Sequence, residues 1–227
     1  MRVAKMTDSL RKLRELGVPA TTILDVGVQH KTLPLMSIYP DLPHLLFEPI
    51  TDYFPHIHQN YKGMNYEIVN AAVSDKNADI FLHSEKKYGG NEISHSWIVE
   101  KETETSRKLK SITLDSFLGE RGGNGPYLLK IDVEGADVPQ KILKGAVATL
   151  AKTSAVIIEM TVDTFVQRSI ILHENGFDLW DLVDSCYYGD CLWQVDAVFI
   201  SRKLKSASPE LSPMHIKPFQ PKLWQQL

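Results

Sequence analysis

Few cysteines, no long apolar run and no surplus of either charge limit what this chain can be. Its two cysteines, Cys186 and Cys191, are too few for a disulfide framework and, with four residues between them, read as free thiols beside a hairpin turn. Neither has a His or Cys neighbour at a zinc-site spacing, so no metal is expected. No apolar run approaches the roughly 20 residues of a membrane span. The opening MRVAKMTDSLRKLRELG is too charged for a signal peptide and reads as an amphipathic helix, so a cytoplasmic protein is expected. A formal net charge of −3 leaves no broad basic surface for nucleic acid or anionic membrane.

What is present is an ordinary globular composition, with 43% hydrophobic and 23% charged residues in 227, enough for one sizeable core. We expect a single domain over 1–204, with a helix or lid at 1–20 and a proline-rich tail at 205–227 that is disordered or draped over the surface. A helix over 7–17 stops at Gly17, with Pro19 beyond. Apolar strands follow in TTILDVG, LPHLLFEP, NYEIVNAAVS, YLLKIDVEG and SAVIIEMTV. The stretches 32–40, 50–62 and 136–150 between them have the length of crossover helices. Continuously apolar strands alternating with helices predict an α/β fold, a mainly parallel sheet covered on both faces. Residues 78–112 interrupt the alternation with a strand, ADIFLH, and a charged run, EKETETSRKLK, that reads as a solvated helix or loop. After a helix at 163–175, residues 176–201 read as two strands closing around Tyr188–Asp190, hence an antiparallel hairpin.

Ligands of open parallel sheets bind beyond the carboxyl ends of the strands. Those ends carry Asp25-Val26-Gly27, Glu48-Pro49, Asn70-Ala71-Ala72, Asp132-Val133-Glu134-Gly135 and Glu159-Met160. Glu48 stands 21 residues after Gly27, the spacing at which a carboxylate accepts hydrogen bonds from a nucleoside's ribose hydroxyls. Gly27 permits close backbone approach to a ligand. The full GxGxxG pattern is missing, which disfavours a nicotinamide or flavin dinucleotide.

The segment LLKIDVEGADVPQKILKGA, residues 128–146, carries a resemblance. It is similar to the hallmark of FkbM-type methyltransferases, a branch of the class I enzymes that use S-adenosylmethionine. LDVG at 24–27, LLFEP at 45–49, NAAVSD at 70–75, ITLDSFL at 112–118 and VDAVFI at 195–200 follow in the family's order. The resemblance implies a Rossmann-like seven-stranded sheet whose last strands form an antiparallel hairpin, and S-adenosyl-L-methionine as cofactor. It places Asp25, Gly27, Val28 and Gln29 along the methionine and ribose, Glu48 with Pro49 at the ribose hydroxyls, and Asn70, Ala71 and Ala72 beside the adenine. Asp132 falls near the sulfonium or the acceptor.

The implied reaction is methyl transfer, most naturally to a hydroxyl of a small molecule or carbohydrate, with a base to take the proton. Asp132, Glu134 and His95 are the candidates. Glu134 shares the face of Asp132 only if the strand continues that far, and otherwise serves the next helix. Lys130 either shares that side or forms a core-edge salt bridge, while Tyr88, Asn91 and Trp97 are candidates to shape the acceptor pocket. The loop DVGVQHKT departs from the family's DVGANxG at Val28, Gln29 and Lys31. Lys31 either holds the cofactor's carboxylate or an anionic acceptor, or points to solvent. A cofactor-binding module without catalysis is the alternative function. The Trp193 and Trp224 regions are candidate homodimer contacts.

Overall fold

Strands that are apolar at nearly every position must be covered on both sides, and helices do this here. The computed structural model describes residues 4–85, 95–99, 102–212, 218 and 220–224, with backbone alone at 84, 85 and 95–99. In chain order the strands are β1 (Thr22–Val26), β2 (His44–Phe47), β3 (Tyr66–Val69), β4 (Ala72–Val73), β5 (Ala78–Glu85), β6 (His95–Val99), β7 (Ser106–Ile112), β8 (Tyr127–Ile131), β9 (Thr153–Thr161), β10 (Phe177–Tyr188) and β11 (Cys191–Ser201). The helices are α1 (Met6–Glu15), α2 (Leu33–Ile38), α3 (Phe54–Asn60), α4 (Leu114–Glu120), α5 (Val138–Lys144), α6 (Val147–Leu150), α7 (Phe165–Glu174) and α8 (Arg202–Ala207).

The main sheet has seven strands in the order β10-β11-β9-β8-β1-β2-β3. All neighbours are parallel except at β11, which runs antiparallel to both β9 and β10. The chain walks from β1 to β3 at one edge, then returns to β8 on the other side of β1. Strand order therefore reverses between β1 and β8, where open sheets of this Rossmann-like kind bind ligands.

Alternation along each strand sorts the core into two layers. Ile23, Leu128, Ala155, Ile157, Val198 and Ile200 meet Met6, Leu10 and Leu13 of α1 and Leu35 of α2 on one face. Leu24, Leu129, Ile131, Val156 and Ile158 meet Leu114 and Leu118 of α4, Ile142 and Leu143 of α5 and Leu172 of α7 on the other. Gly17, with φ +72°, ends α1.

Two segments differ from the sequence-based expectation. NYEIVNAAVS is not one strand but two, in different sheets. The Asn70 side chain donates to the Glu48 and Pro49 carbonyls (3.3 and 3.1 Å), and the Ala71 amide bonds the Val69 carbonyl at 2.9 Å. The chain turns there, and Ala72–Val73 pairs with Ser111 and Ile112 of β7. The charged run is not a helix or loop throughout, because from Ser106 it is strand β7. Its charges are met laterally: Lys108 pairs with Asp79 at 2.8 Å, and Arg107 grips both Asp52 oxygens at 2.6 and 3.1 Å. Strands β4, β7, β5 and β6 form a second sheet in that order.

The tail does not begin at 205 as a separate element. Helix α8 and the turn Pro209–Leu211 press Leu204 and Leu211, the latter 2% exposed, onto the α1 layer. No helix among the described residues is long and apolar enough to cross a membrane.

The LKGA portion of the 128–146 segment has a packing explanation. A Cβ on Gly145 would lie 2.2 Å from the Ser74 carbonyl oxygen and 3.0 Å from the Asp75 Cα, so only glycine lets the end of α5 reach the backbone after β4. Gly119, in α4, has nothing within 4 Å of the same built atom. Gly145→Ala is expected to cost about 1–3 kcal/mol, while Gly119→Ala is neutral or stabilising by roughly 0.5 kcal/mol. Urea unfolding of the two variants checks the opposite signs.

Candidate active site at the carboxyl ends of the central strands

Backbone crowding at the switch point fixes the site. The Asp132 amide donates to the Val26 carbonyl at 2.9 Å and the Gly27 amide to the Phe47 carbonyl at 3.1 Å, so the ends of β1, β2 and β8 are laced together. Gly27 has φ +88°, and a Cβ there would stand 1.9 Å from the Asp132 carbonyl oxygen. Two residues on, Gln29 adopts φ +51°, uncommon for a side-chain-bearing residue. This turns its amide onto Glu48, whose Oε2 accepts it at 2.9 Å while Oε1 accepts the Ile50 amide at 2.8 Å.

Glu48 is 3% exposed, and burial pushes its carboxyl up to about 7 against the two amides that favour its charge. Each carboxylate oxygen keeps a second lone pair. Glu48 therefore has two remaining acceptor positions, at the edge of a cavity lined by Ile50, Tyr53, Ala71, Val73, Leu82 and Val138. The wall beside Glu48 is mostly apolar.

A second, more polar cavity adjoins it, lined by Met6, Val28, Lys31, Thr32, Lys130 and neighbours. Gly27, Gln29, Asp132, Glu134 and Glu159 line both cavities and so mark where they meet. Lys130 lies beneath this junction, 4% exposed, with its Nζ 2.7 Å from Asp132 Oδ2 and 4.0 Å from Asp25 Oδ1. Burial works against its charge, but Asp132 and Asp25 more than offset this, so its pKa is raised. Asp25 is fully buried, and burial raises its carboxyl against the pull of Lys130. Glu159 is pushed up to about 7, first by burial and then by Asp132, Asp196 and Glu134. Asp196, paired with Glu159 across the β9–β11 register, is pushed up to about 6 by burial and by Asp132.

The predicted residues divide as follows. Gly27, Gln29, Glu48, Pro49, Ala71, Ala72, Asp132 and Glu134 line the first cavity, and Val28 and Lys31 the second. Asp25 lines neither, because it is sealed beneath the loop at 0% exposure and faces Lys130 instead. Asn70 is also outside both walls, its amide holding the Glu48 and Pro49 carbonyls from behind. Strand β8 ends at Ile131, so Glu134 reaches the junction from an exposed bend rather than from a continued strand face. Lys130 forms a salt bridge with Asp132 and lines the second cavity beside it. Lys31 is exposed and precedes Thr32, the cap of α2.

His95 and Trp97 are placed on β6 by backbone only, opposite Glu85 and His83. Tyr88 and Asn91 lie outside the described residues. Ile50, Tyr53, Leu82 and Met6 are wall residues that the sequence analysis does not single out. Leu82 and Met6 come from a different sheet and from α1, with no local pattern to mark them. Glu159 did leave a signal, an acid ending an otherwise apolar strand. Among the described residues no group of three His, Cys, Asp or Glu is arranged to hold a metal.

Glu48, Glu159 and Asp196 keep their protons in the folded chain to about 7, 7 and 6, above their ordinary values of 4.5, 4.5 and 3.8. Such groups contribute stability that is present below the ordinary values and lost as pH rises through the folded ones. The thermal midpoint of the ligand-free chain is expected to fall between about pH 5 and pH 8. A Glu48→Gln/Glu159→Gln double variant should flatten that fall in a calorimetric pH series.

The family model for the methyltransferase FkbM domain matches residues 25–188, which include both cavities' strand ends. No curated protein matches the sequence. Among solved structures, fibrillarin of Methanococcus jannaschii, a pre-rRNA processing protein, is 12% identical with TM-score 0.49, over 80% of this chain and 66% of that one. Fibrillarin of Aeropyrum pernix, with natively bound S-adenosyl-L-methionine, is 12% identical with TM-score 0.48, over 84% and 72%. The N-methyltransferase NodS of Bradyrhizobium japonicum is 8% identical with TM-score 0.45, over 86% and 94%. Likeness at this level says nothing of what this chain methylates. The family match covers well over half of the sequence and takes in the glycine loop, Glu48 and the 128–146 segment, and on that ground the chain belongs to the FkbM family of S-adenosylmethionine-dependent methyltransferases.

Proposed function

We propose that the chain transfers a methyl group from S-adenosylmethionine to a hydroxyl of a small molecule or carbohydrate. The observation that carries this reading is Glu48, a buried carboxylate with two acceptor positions left, set on the rim of an apolar slot. Vicinal ribose hydroxyls supply two donors for those two positions. The slot walls Ile50, Tyr53 and Leu82 suit a flat nucleobase, and Ala71 and Ala72 leave room at its edge. The second cavity, with Lys31 and Lys130 in its wall, suits the carboxylate of the cofactor's amino-acid end.

A sulfonium donor supplies an already activated methyl group, so the protein's tasks are placement and proton removal. Gly27 lets the loop lie low, Gln29 and Ile50 aim the Glu48 carboxylate, and Lys130 keeps Asp132 in place. The junction residues Asp132, Glu134 and Glu159 are what an acceptor hydroxyl would meet. Their shared sign, with the chain's formal net charge of −3, disfavours a polyanionic nucleic-acid acceptor and supports a neutral, hydroxyl-bearing one.

Calorimetry with S-adenosylmethionine is expected to show binding, and NADH none. Since Glu48 accepts both hydroxyls only when ionised, cofactor affinity should rise as pH climbs through about 7. Glu48→Gln should weaken binding roughly tenfold or more and remove most of that pH dependence. Unchanged affinity would take away the ribose role. Tritiated methyl transfer to a panel of glycosides and polyols, with amines as the comparison, tests the acceptor class. A folded, cofactor-binding chain that methylates none of them would favour a binding module.

A further inference from the structure

The junction of the two cavities holds several carboxylates, and their partners distinguish them. Asp132 has its Oδ2 on the Lys130 ammonium at 2.7 Å. Glu134 stands on an exposed bend. Glu159 is different, because its Oε2 accepts a hydrogen bond from the neutral Gln194 amide at 2.8 Å. Among the described residues no cation forms an ion pair with its carboxylate. The Arg168 guanidinium is directed at backbone instead, with Nη1 on the Glu159 carbonyl at 2.6 Å and Nη2 on those of Gly135 and Ala136 at 3.3 and 3.2 Å. It pins the end of β9 to the bend after β8 and leaves the Glu159 carboxylate toward the cavities.

Register explains why Gln194 is available. On β11, Gln194 lies opposite Thr161 and Asp196 opposite Glu159. Residues two apart share a face, so Gln194 reaches Glu159 diagonally across the pair. The groups bearing on Glu159 are Lys130, Asp132 and Glu134 from β8 and its bend, Asp196 from β11 and Arg168 from α7. Three of these five are acids. A carboxylate held by an amide, among other acids, retains affinity for a proton that a salt-bridged one gives up.

We infer that Glu159 is a catalytic residue that stands beside the transferred methyl group and accepts the proton of the acceptor hydroxyl, with Gln194 as its positioning residue. The inference rests on the methyl-transfer reading above. As the acceptor oxygen bonds to the methyl carbon, the carbon–sulfur bond breaks and its electron pair stays on sulfur. The hydroxyl proton passes to a Glu159 oxygen and leaves to solvent afterwards. No other reactant is needed.

The test needs no acceptor. Sinefungin carries an amine where the cofactor has its sulfonium methyl, while S-adenosylhomocysteine has nothing there. An ionised Glu159 at that position should make the wild-type chain bind sinefungin about tenfold more tightly than S-adenosylhomocysteine near pH 8. Glu159→Gln should erase the preference while keeping affinity for S-adenosylhomocysteine, which also reports that the variant is folded. In the wild type the preference should fade as pH falls below about 7. Titration of Glu48 affects both ligands alike and cancels in the ratio. Gln194→Leu, lacking the donor that favours the charged form, should move that fading to higher pH without abolishing the preference.

A preference that survives Glu159→Gln, that disappears with Glu134→Gln instead, or that is missing from the wild type overturns the assignment while leaving cofactor binding intact. Failure of a folded wild-type chain to bind either compound overturns the methyltransferase reading, and the assignment with it.

Discussion

The site depends on one contact, the Gly27 backbone lying against the carbonyl of Asp132, where a Cβ would come to 1.9 Å. β1 and β8 are far apart in sequence, yet their ladder runs to its end through the bond from the Asp132 amide to the Val26 carbonyl. Because the two exits are pressed together, the loop after β1 must turn at once, and Gln29 takes up a left-handed conformation. That conformation costs about 1–2 kcal/mol for a residue with a side chain. The Gln29 amide bonds Glu48, and once that carboxyl is ionised such a bond, worth about 1.5–3 kcal/mol, is enough to offset the cost. Glycine, strained loop and aimed carboxylate form one mechanical unit.

A second constraint comes from sheet register. Asp25 faces Lys130 across β1 and β8, Lys130 faces Ile157 across β8 and β9, and Glu159 faces Asp196 across β9 and β11. The apolar stripe that packs on α1 thus passes into a charged ribbon as the strands reach their carboxyl ends. The ribbon holds one buried ammonium for several carboxyls. Removing a carboxylate from water without a partner is costly, and the group responds by keeping its proton. The acids that Lys130 cannot serve therefore retain protons up to about 6 or 7. A proton acceptor works best when its pKa lies near the operating pH, and an incompletely neutralised ribbon produces such groups without a dedicated device.

The fold was largely legible because its main strands are buried on both faces, and that leaves continuous apolar runs. The hairpin at 176–201 was legible from its closeness in sequence, and Glu48 from its distance to Gly27. The break inside NYEIVNAAVS was not, because Asn70 turns the chain by bonding carbonyls of another strand's end. The strand in RKLK was hidden by charges whose partners, Asp52 and Asp79, lie in other elements. Its place in a motif makes Asp25 look like a wall residue, although it faces a lysine that only strand register brings opposite. Local pattern identifies which residues end a strand, and the neighbouring strand decides what each of them faces.

The two halves of the site accordingly differ in how they are assembled. The half around Glu48 draws most of its wall from the chain between β1 and β4, and is completed by Asp132 to Val138 after β8 and by Leu82 from the second sheet. The half around Glu159 joins the segment before α1 to the β10–β11 hairpin. Asp184, at φ +50° on β10, accepts the Met6 amide on Oδ2 at 2.9 Å, while its own amide bonds the Ala4 carbonyl at 2.9 Å. Lys5 pairs with its other oxygen at 3.0 Å. This clasp sets Met6 in the wall of the second cavity, while Gln194 and Asp196 of β11 bear on Glu159, which lines the same cavity. Contacts of such sequence separation carry the larger loop-closure cost and form late. They also belong to residues outside the glycine loop, so changes there reshape the second cavity while the Gly27–Glu48 unit stays intact.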